Sequence, residues 1–296
     1  MLEQIAVSDP TVLIFGYGSN LAYGSEADLE AFSEGYHALL NDVGLNDKRC
    51  VLLSPIPHEQ ASSPHPDVSM FNANVEKVSA TISEIANIRG CLFFDLYTSL
   101  ACFDGVTKEP LATNGIHLTA FGYSLVAELF GNAPFIGQSR HIKIDVEKQT
   151  VDGGALDDFV DQGRTITLTL TPSQLPASGT RWLSILGLRR GNYRVSTSSA
   201  IVGSMSSREW QEGSIVVIPE EKEQEGQLRA EIIEKNALYF RKYRPQNETY
   251  LVGFRKYEQG QNAVELDLLD PLIHEKENEI GRLKTPKPIT LTIERL

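Results

Sequence analysis

From residue 11 to residue 131, apolar runs alternate with segments whose apolar residues recur at helical spacing. TVLIFGY (11–17), CVLLSP (50–55) and CLFFDLY (91–97) are continuous apolar runs of strand length, the pattern of strands buried on both faces. Between the first two, SEADLEAFSEGYHALLNDVG (25–44) places Leu29, Phe32, Tyr36, Leu39 and Leu40 along one helical stripe. A polar loop with three prolines, IPHEQASSPHPD, leads into a second helix over about 68–89, and LTAFGYSLVAELFG (118–131) is a last helix with a glycine stop. Single helices between apolar strands predict an α/β fold: a doubly wound parallel sheet covered on both faces. In such sheets ligands bind beyond the carboxyl ends of the strands.

From residue 139 the pattern changes. RHIKIDVE, RTITLTLTP, RWLSILGL, GNYRVSTS and GSIVVIP are short alternating stretches separated by turn residues, which predicts a small antiparallel β-sandwich-like module. From residue 220 the pattern turns helical. EKEQEGQLRAEIIEKNALYFRKYR is an imperfect amphipathic helix, and DPLIHEKENEIGRLKTP opens on Asp-Pro, a good N-cap and N1 pair. The expected division is an α/β domain over 1–135, a β module over 136–219 and a mainly helical C-terminal extension over 220–296.

Composition alters this picture little, but charge narrows the partners. The net charge of −12, most of it in residues 1–150, argues against nucleic acid, whose phosphates need clustered Lys and Arg. Cys50, Cys91 and Cys102 form neither a zinc spacing nor a disulfide framework and read as free thiols, two of them beside apolar runs. The N-terminus shows no secretory h-region, and no apolar stretch is long enough to span a bilayer, so no membrane partner is expected. Localisation stays open.

The candidate chemistry sits at two strand-end loops. Gly16-Tyr17-Gly18-Ser19-Asn20-Leu21 fails as a nucleophile elbow, because Leu21 stands where the second glycine of Gly-x-Ser-x-Gly belongs. It also fails as a dinucleotide loop, which needs a third glycine. What remains is Asn20 at the sheet's carboxyl edge, either a turn asparagine or a side-chain amide able to donate to an oxyanion. The second loop, Thr113-Asn114-Gly115-Ile116-His117-Leu118, precedes the last helix. There a residue three places before His117 can reach its ring and fix the tautomer. His58, after the second strand, is either a turn histidine or part of a substrate site. Trp182 and Trp210 are either core residues or sugar-stacking platforms.

Taken together, Gly18-Ser19-Asn20 and Asn114-Gly115-Ile116-His117 resemble the third block (Gly-x-Asn) and the fifth block (Asp-x-x-His) of the SGNH hydrolases, also called GDSL esterases and lipases. The intervening strand, loop and helix follow in the expected order, so the resemblance spans about 1–131. The tail RPQNETYLVGFRKYEQGQNAVELDLLDPL is similar to a segment that follows SGNH domains in some large bacterial proteins. The resemblance implies an SGNH (flavodoxin-like) sheet and a serine ester hydrolase, with carbohydrate O-acetylesterase among the activities it points to, needing no cofactor and no metal. Asn20 would be an oxyanion-hole donor, His117 the general base, and Gly18 and His58 substrate-site residues.

Two departures accompany the matches. The family's first block, Gly-Asp-Ser, supplies the nucleophile and stands well upstream of the third. Here only ten residues precede Thr11, so the domain is expected to lack its first strands, leaving a partial doubly wound sheet with TVLIFGY as its edge, and the serine to lie outside this chain. The second is Asn114 where the family has Asp; an amide holds the imidazole without compensating the imidazolium charge. Asp95, Asp104 and Glu109 are near enough in sequence to serve instead. Two other readings compete: a non-catalytic carbohydrate-binding or scaffold protein derived from an SGNH domain, and a flavodoxin-like nucleotide binder, which lacks a phosphate loop. In the tail Arg244, Asn247, Tyr250, Arg255 and Glu258 read as an interdomain or ligand-facing surface.

Overall fold

The computed structural model describes residues 2–45, 48–131, 133, 141–176, 179–243 and 266–296. They fall into two compact units, Met1–Gly137 and Gln138–Leu296. The protein is a mixed α/β chain with a parallel sheet in the first unit and two further sheets and two long helices in the second.

A short helix α1 (Leu2–Ser8) precedes β1 (Val12–Phe15), α2 (Glu26–Val43), β2 (Arg49–Leu53), α3 (Ser69–Arg89) and β3 (Leu92–Phe94). The strands pair in parallel in the order β1-β2-β3. Ser25 and Asp28 form a reciprocal capping box that starts α2, and Gly90 ends α3 at φ 66°, a left-handed stop that suits glycine. Because successive strands add in one direction through right-handed crossovers, α2 and α3 land on the same sheet face. There Leu13, Phe15, Cys50 and Leu52 pack against Tyr36 and Leu40 of α2 and Val78 and Ile82 of α3.

The opposite face corrects the expectation of a sheet covered on both sides. Its row Ile14–Val51–Leu92 runs across all three strands. Val51 is buried, but Ile14 is 51% and Leu92 38% exposed. Helix α5 (Ala120–Gly131) reaches this face where Phe130 meets Phe94 edge-on, ring centroids 5.1 Å apart. Continuous apolar strands report that both faces are apolar, not that both are covered. The doubly wound sheet is partial and β1 is an edge strand, both as expected.

The second unit is a β-sandwich with helices. One sheet has the order β10-β9-β12-β7-β6, from β6 (Gly154–Asp161), β7 (Thr165–Pro172), β9 (Asn192–Ser196), β10 (Ile201–Ser206) and β12 (Ile289–Arg295). The other has the order β11-β8-β4-β5, from β4 (His141–Asp145), β5 (Thr150–Asp152), β8 (Arg181–Leu186) and β11 (Ser214–Val216). Alternate residues of both, among them Ile142, Leu168, Leu183, Val195 and Leu291, are wholly buried in one core with Trp210 of the short helix α6 (Ser207–Glu212). Two features depart from the pattern-based picture: β4 and β8 run parallel, and the extension contributes β12 to the sheet between β7 and β9.

Between β11 and β12 in the chain come α7 (Pro219–Tyr243) and α8 (Leu269–Leu283). Buried Gln224 of α7 donates to the carbonyls of Leu283 (2.8 Å) and Thr285 (2.7 Å), fixing the turn that feeds β12. The tail positions Arg244, Asn247, Tyr250, Arg255 and Glu258 lie outside the described residues. Among the described residues no helix is long and apolar enough to cross a membrane.

Candidate active site

The chain leaves β1 through Gly16-Tyr17-Gly18 and enters a short 3-10 turn, Ser19–Tyr23, that carries Asn20. Gly18 is needed there twice over. Its φ is 108°, and a Cβ would come within 2.7 Å of Val78 Cγ1. The turn is pinned from α3, where the Asn74 amide donates to the Ala22 carbonyl at 3.1 Å. Asn20 is exposed and shares an open cavity of about 540 Å³ with Gly16, Gly18, Phe32 and Tyr36.

His117 sits on a tight hairpin that runs from Leu111 to Thr119. An isolated bridge joins Ala112 to Leu118, and the Thr113 and Thr119 N–H groups donate to the carbonyls of His117 and Leu111, each at 2.8 Å. Gly115 turns the tip with φ 85°. Asn114 Oδ1 accepts the His117 backbone N–H at 3.1 Å, and the same oxygen lies 3.0 Å from His117 Nδ1. An atom receiving a backbone N–H is the amide oxygen, and an oxygen can only accept. His117 Nδ1 therefore carries the ring hydrogen, leaving Nε2 with its lone pair free to accept a proton.

The three carboxylates close enough in sequence to replace Asn114 are engaged or placed elsewhere. Asp95 caps helix α4 (Leu96–Ala101) through the Thr98 N–H at 3.0 Å and accepts from Ser54 and Ser79. Asp104 accepts the Gln60 N–H at 3.3 Å, and Glu109 is exposed. Among the described residues, the hydrogen-bond partner of the His117 ring is Asn114.

His58 occupies the ground between the Asn20 turn and this hairpin. It is buried, with its ring stacked on Phe71 (5.3 Å, 29°) and set edge-on to Tyr23 of the Asn20 turn (5.6 Å, 69°). Its backbone is fixed by Asn72, which accepts its N–H at 2.7 Å and donates to its carbonyl at 3.0 Å. With Asn72, Tyr97, Asp104 and hairpin residues Leu111 and Leu118 it lines a cavity of about 110 Å³. The structure thus brings Asn114 and His117 together and links His58 to both loops, while Asn20 and Gly18 face a separate cavity.

Burial, with a smaller repulsion from His65, holds the His58 pKa below the ordinary imidazole value of 6.5. A folded-state pKa below the unfolded one means that folding prefers the neutral ring. This contribution to stability is complete above about pH 6.5 and is lost as pH falls below it. Urea unfolding at about pH 8 and about pH 5 should show the wild-type protein losing more stability on acidification than His58→Gln. Parallel losses would assign the effect to other groups.

No family model matches this chain, and no curated protein matches it. Solved structures do. A gut microbial diltiazem-metabolizing enzyme superposes with a TM-score of 0.68 over 100% of this chain and 87% of its own, at 14% identity. That likeness establishes a shared fold. An acetyl xylan esterase (TM-score 0.37, 18% identity, 45% of this chain and 71% of that one) and a lipase/acylhydrolase from Enterococcus faecalis (TM-score 0.35, 20% identity, 43% and 63%) superpose only in part. Scores that low do not bear on the reading of the site.

Proposed function

We propose that the first unit is an SGNH-type serine ester hydrolase domain acting on a small-molecule or carbohydrate ester. The observation that carries the reading is the His117 ring held by Asn114 through Nδ1, with Nε2 open, on a hairpin at the carboxyl edge of a parallel sheet. In this reading Nε2 takes the proton from a serine hydroxyl as it attacks the ester carbonyl, and returns it to the departing alcohol. The Asn20 amide donates to the oxyanion of the tetrahedral intermediate. No tripeptide in residues 1–296 reads Gly-Asp-Ser, so the reading assigns the nucleophile to sequence outside them.

The test is turnover of an aryl acetate by a protein that carries this chain behind a Gly-Asp-Ser strand from its own reading frame. His117→Ala should lower kcat by about 10²- to 10⁴-fold, and Asn20→Ala by about 10²- to 10³-fold. Asn114→Asp should raise kcat, because a carboxylate compensates the imidazolium and an amide does not. Equal rates for wild type and His117→Ala would end the assignment.

A second reading, a non-catalytic carbohydrate binder, is favoured by Asn114 itself and by Trp182. Trp210 is fully buried, its indole N–H bonded to the Tyr193 carbonyl at 3.2 Å, whereas Trp182 is 37% exposed and stacks beside His141 at 5.8 Å. Oligosaccharide binding by the 296-residue chain, with no hydrolysis by the extended one, would select this reading.

A further inference from the structure

We propose that Glu59 is the positioning residue of the His117 hairpin, the group that holds Asn114 and His117 in the geometry the base requires. The proposal rests on the reading of His117 as general base, and no feature of the sequence around Glu59 announces it.

Glu59 lies on the loop after β2 and is 4% exposed. Its Oε1 accepts the Leu111 N–H at 2.6 Å, and its Oε2 accepts the Ala112 N–H at 3.0 Å together with the Ser62 hydroxyl. One side chain thereby takes two consecutive donors from the first arm of the hairpin. The same residue also grips the tip. Its backbone N–H donates to the Gly115 carbonyl at 2.9 Å, and the Gly115 N–H donates at 3.1 Å to Ser62 Oγ, whose hydrogen goes to Glu59. Arm and tip are fixed from one point, with Asn114 between them and His117 held across the hairpin by the Thr113 N–H.

The chemistry requires a carboxylate. Both side-chain oxygens act as acceptors toward N–H donors, so an amide in this place would turn an NH₂ group against one of them. Hydrogen bonds from backbone N–H groups to a charged acceptor are among the stronger ones, and a buried N–H left without a partner is costly. By contrast, the Asn114–His117 ring contact is exposed to water and made by one bond, too little to order the imidazole without a rigid frame beneath it. Close packing agrees: a Cβ on Gly115 would stand 3.0 Å from Ser63 Cβ and 3.3 Å from the Glu59 carbonyl oxygen.

The test reads the His117 ring directly in the 296-residue chain. In nitrogen-15 correlation spectra taken where the ring is neutral, wild-type His117 should be mainly the Nδ1–H tautomer. In Glu59→Gln it should shift toward the Nε2–H form that free imidazoles prefer, and the Leu111 and Ala112 amides should exchange about tenfold faster or more. Ser62→Ala, which removes the contact to the tip and the hydroxyl's bond to Glu59 but leaves Glu59 on the Leu111 and Ala112 amides, should speed Gly115 exchange and move the tautomer part of the way. It serves as the measurement if Glu59→Gln does not fold. Faster exchange with an unchanged His117 tautomer in the folded variants would overturn the proposal, leaving Glu59 as a seal for the hairpin. An Nε2–H wild-type ring would overturn it as well. None of these outcomes depends on turnover, so a failed esterase assay on the extended protein would count against the catalytic reading alone.

Discussion

Replacing Arg181 by methionine is expected to destabilise the second unit by about 3–5 kcal/mol, the usual cost of leaving one member of a buried ion pair alone. Arg181 and Glu221 are almost wholly shielded from water. The guanidinium donates through Nε to Glu221 Oε2 at 2.8 Å and through Nη2 to the other carboxylate oxygen and to the Gln174 carbonyl (2.8 Å). In a unit of this size the loss corresponds to a fall in Tm of roughly 6–20 °C. The double replacement Arg181→Met with Glu221→Leu should recover most of it, because no charge is then stranded. The helix N-terminus near Glu221 would lose a favourable anion, a smaller effect of about 0.3–1 kcal/mol. Calorimetric melts of the two variants check both statements. A single variant that melts with the wild type would show that the pair is neither buried nor paired in solution.

The second large effect is expected at Gly122. This residue lies in α5 directly against the His117 hairpin, and a Cβ there would come within 2.2 Å of the Leu111 carbonyl oxygen and 2.9 Å of Leu118 Cδ2. Gly122→Ala gains up to about 1 kcal/mol of helix propensity. The overlap is with backbone, which cannot rotate away, and overpacking of this kind costs about 1–3 kcal/mol. The clash should prevail, and the hairpin should move to relieve it. In the extended protein a displacement of about 1 Å at the base is enough to lower kcat about 10²-fold. Thermal melts and aryl acetate turnover measure the two consequences separately. A Gly122→Ala protein as stable and as active as its parent would show that the hairpin does not rest on α5.

How much of this was readable in advance differs from element to element. The three parallel strands and α2 and α3 follow from their apolar patterns, since a run such as CVLLSP is of strand length and too short for a buried helix. The open patch at Ile14 and Leu92 was not readable, because the cover over a sheet face comes from elements distant in sequence. Strand β12 was missed although ITLTIER alternates cleanly; the helical pattern before it absorbed the whole segment. Asn114 and His117 were legible because their contact is local, three residues apart. Glu59 was hidden because its partners Leu111 and Ala112 lie 52 and 53 residues downstream. Burial of a lone carboxylate leaves no periodic trace.

The place of β12 also fixes an order of events during synthesis. Its hydrogen-bonded neighbours, β7 and β9, both precede α7 and α8, and Thr290 meets Thr169 across 121 positions of chain. Until Ile289–Arg295 leaves the ribosome, the five-stranded sheet has a gap at its centre and two unpaired inner edges. The β1-β2-β3 pairings of the first unit all fall within residues 12–94 and are available long before that. Nascent chains halted before residue 289 should therefore carry a paired β1-β2-β3 sheet and, behind it, an open second sheet, the state in which a chaperone has most to hold.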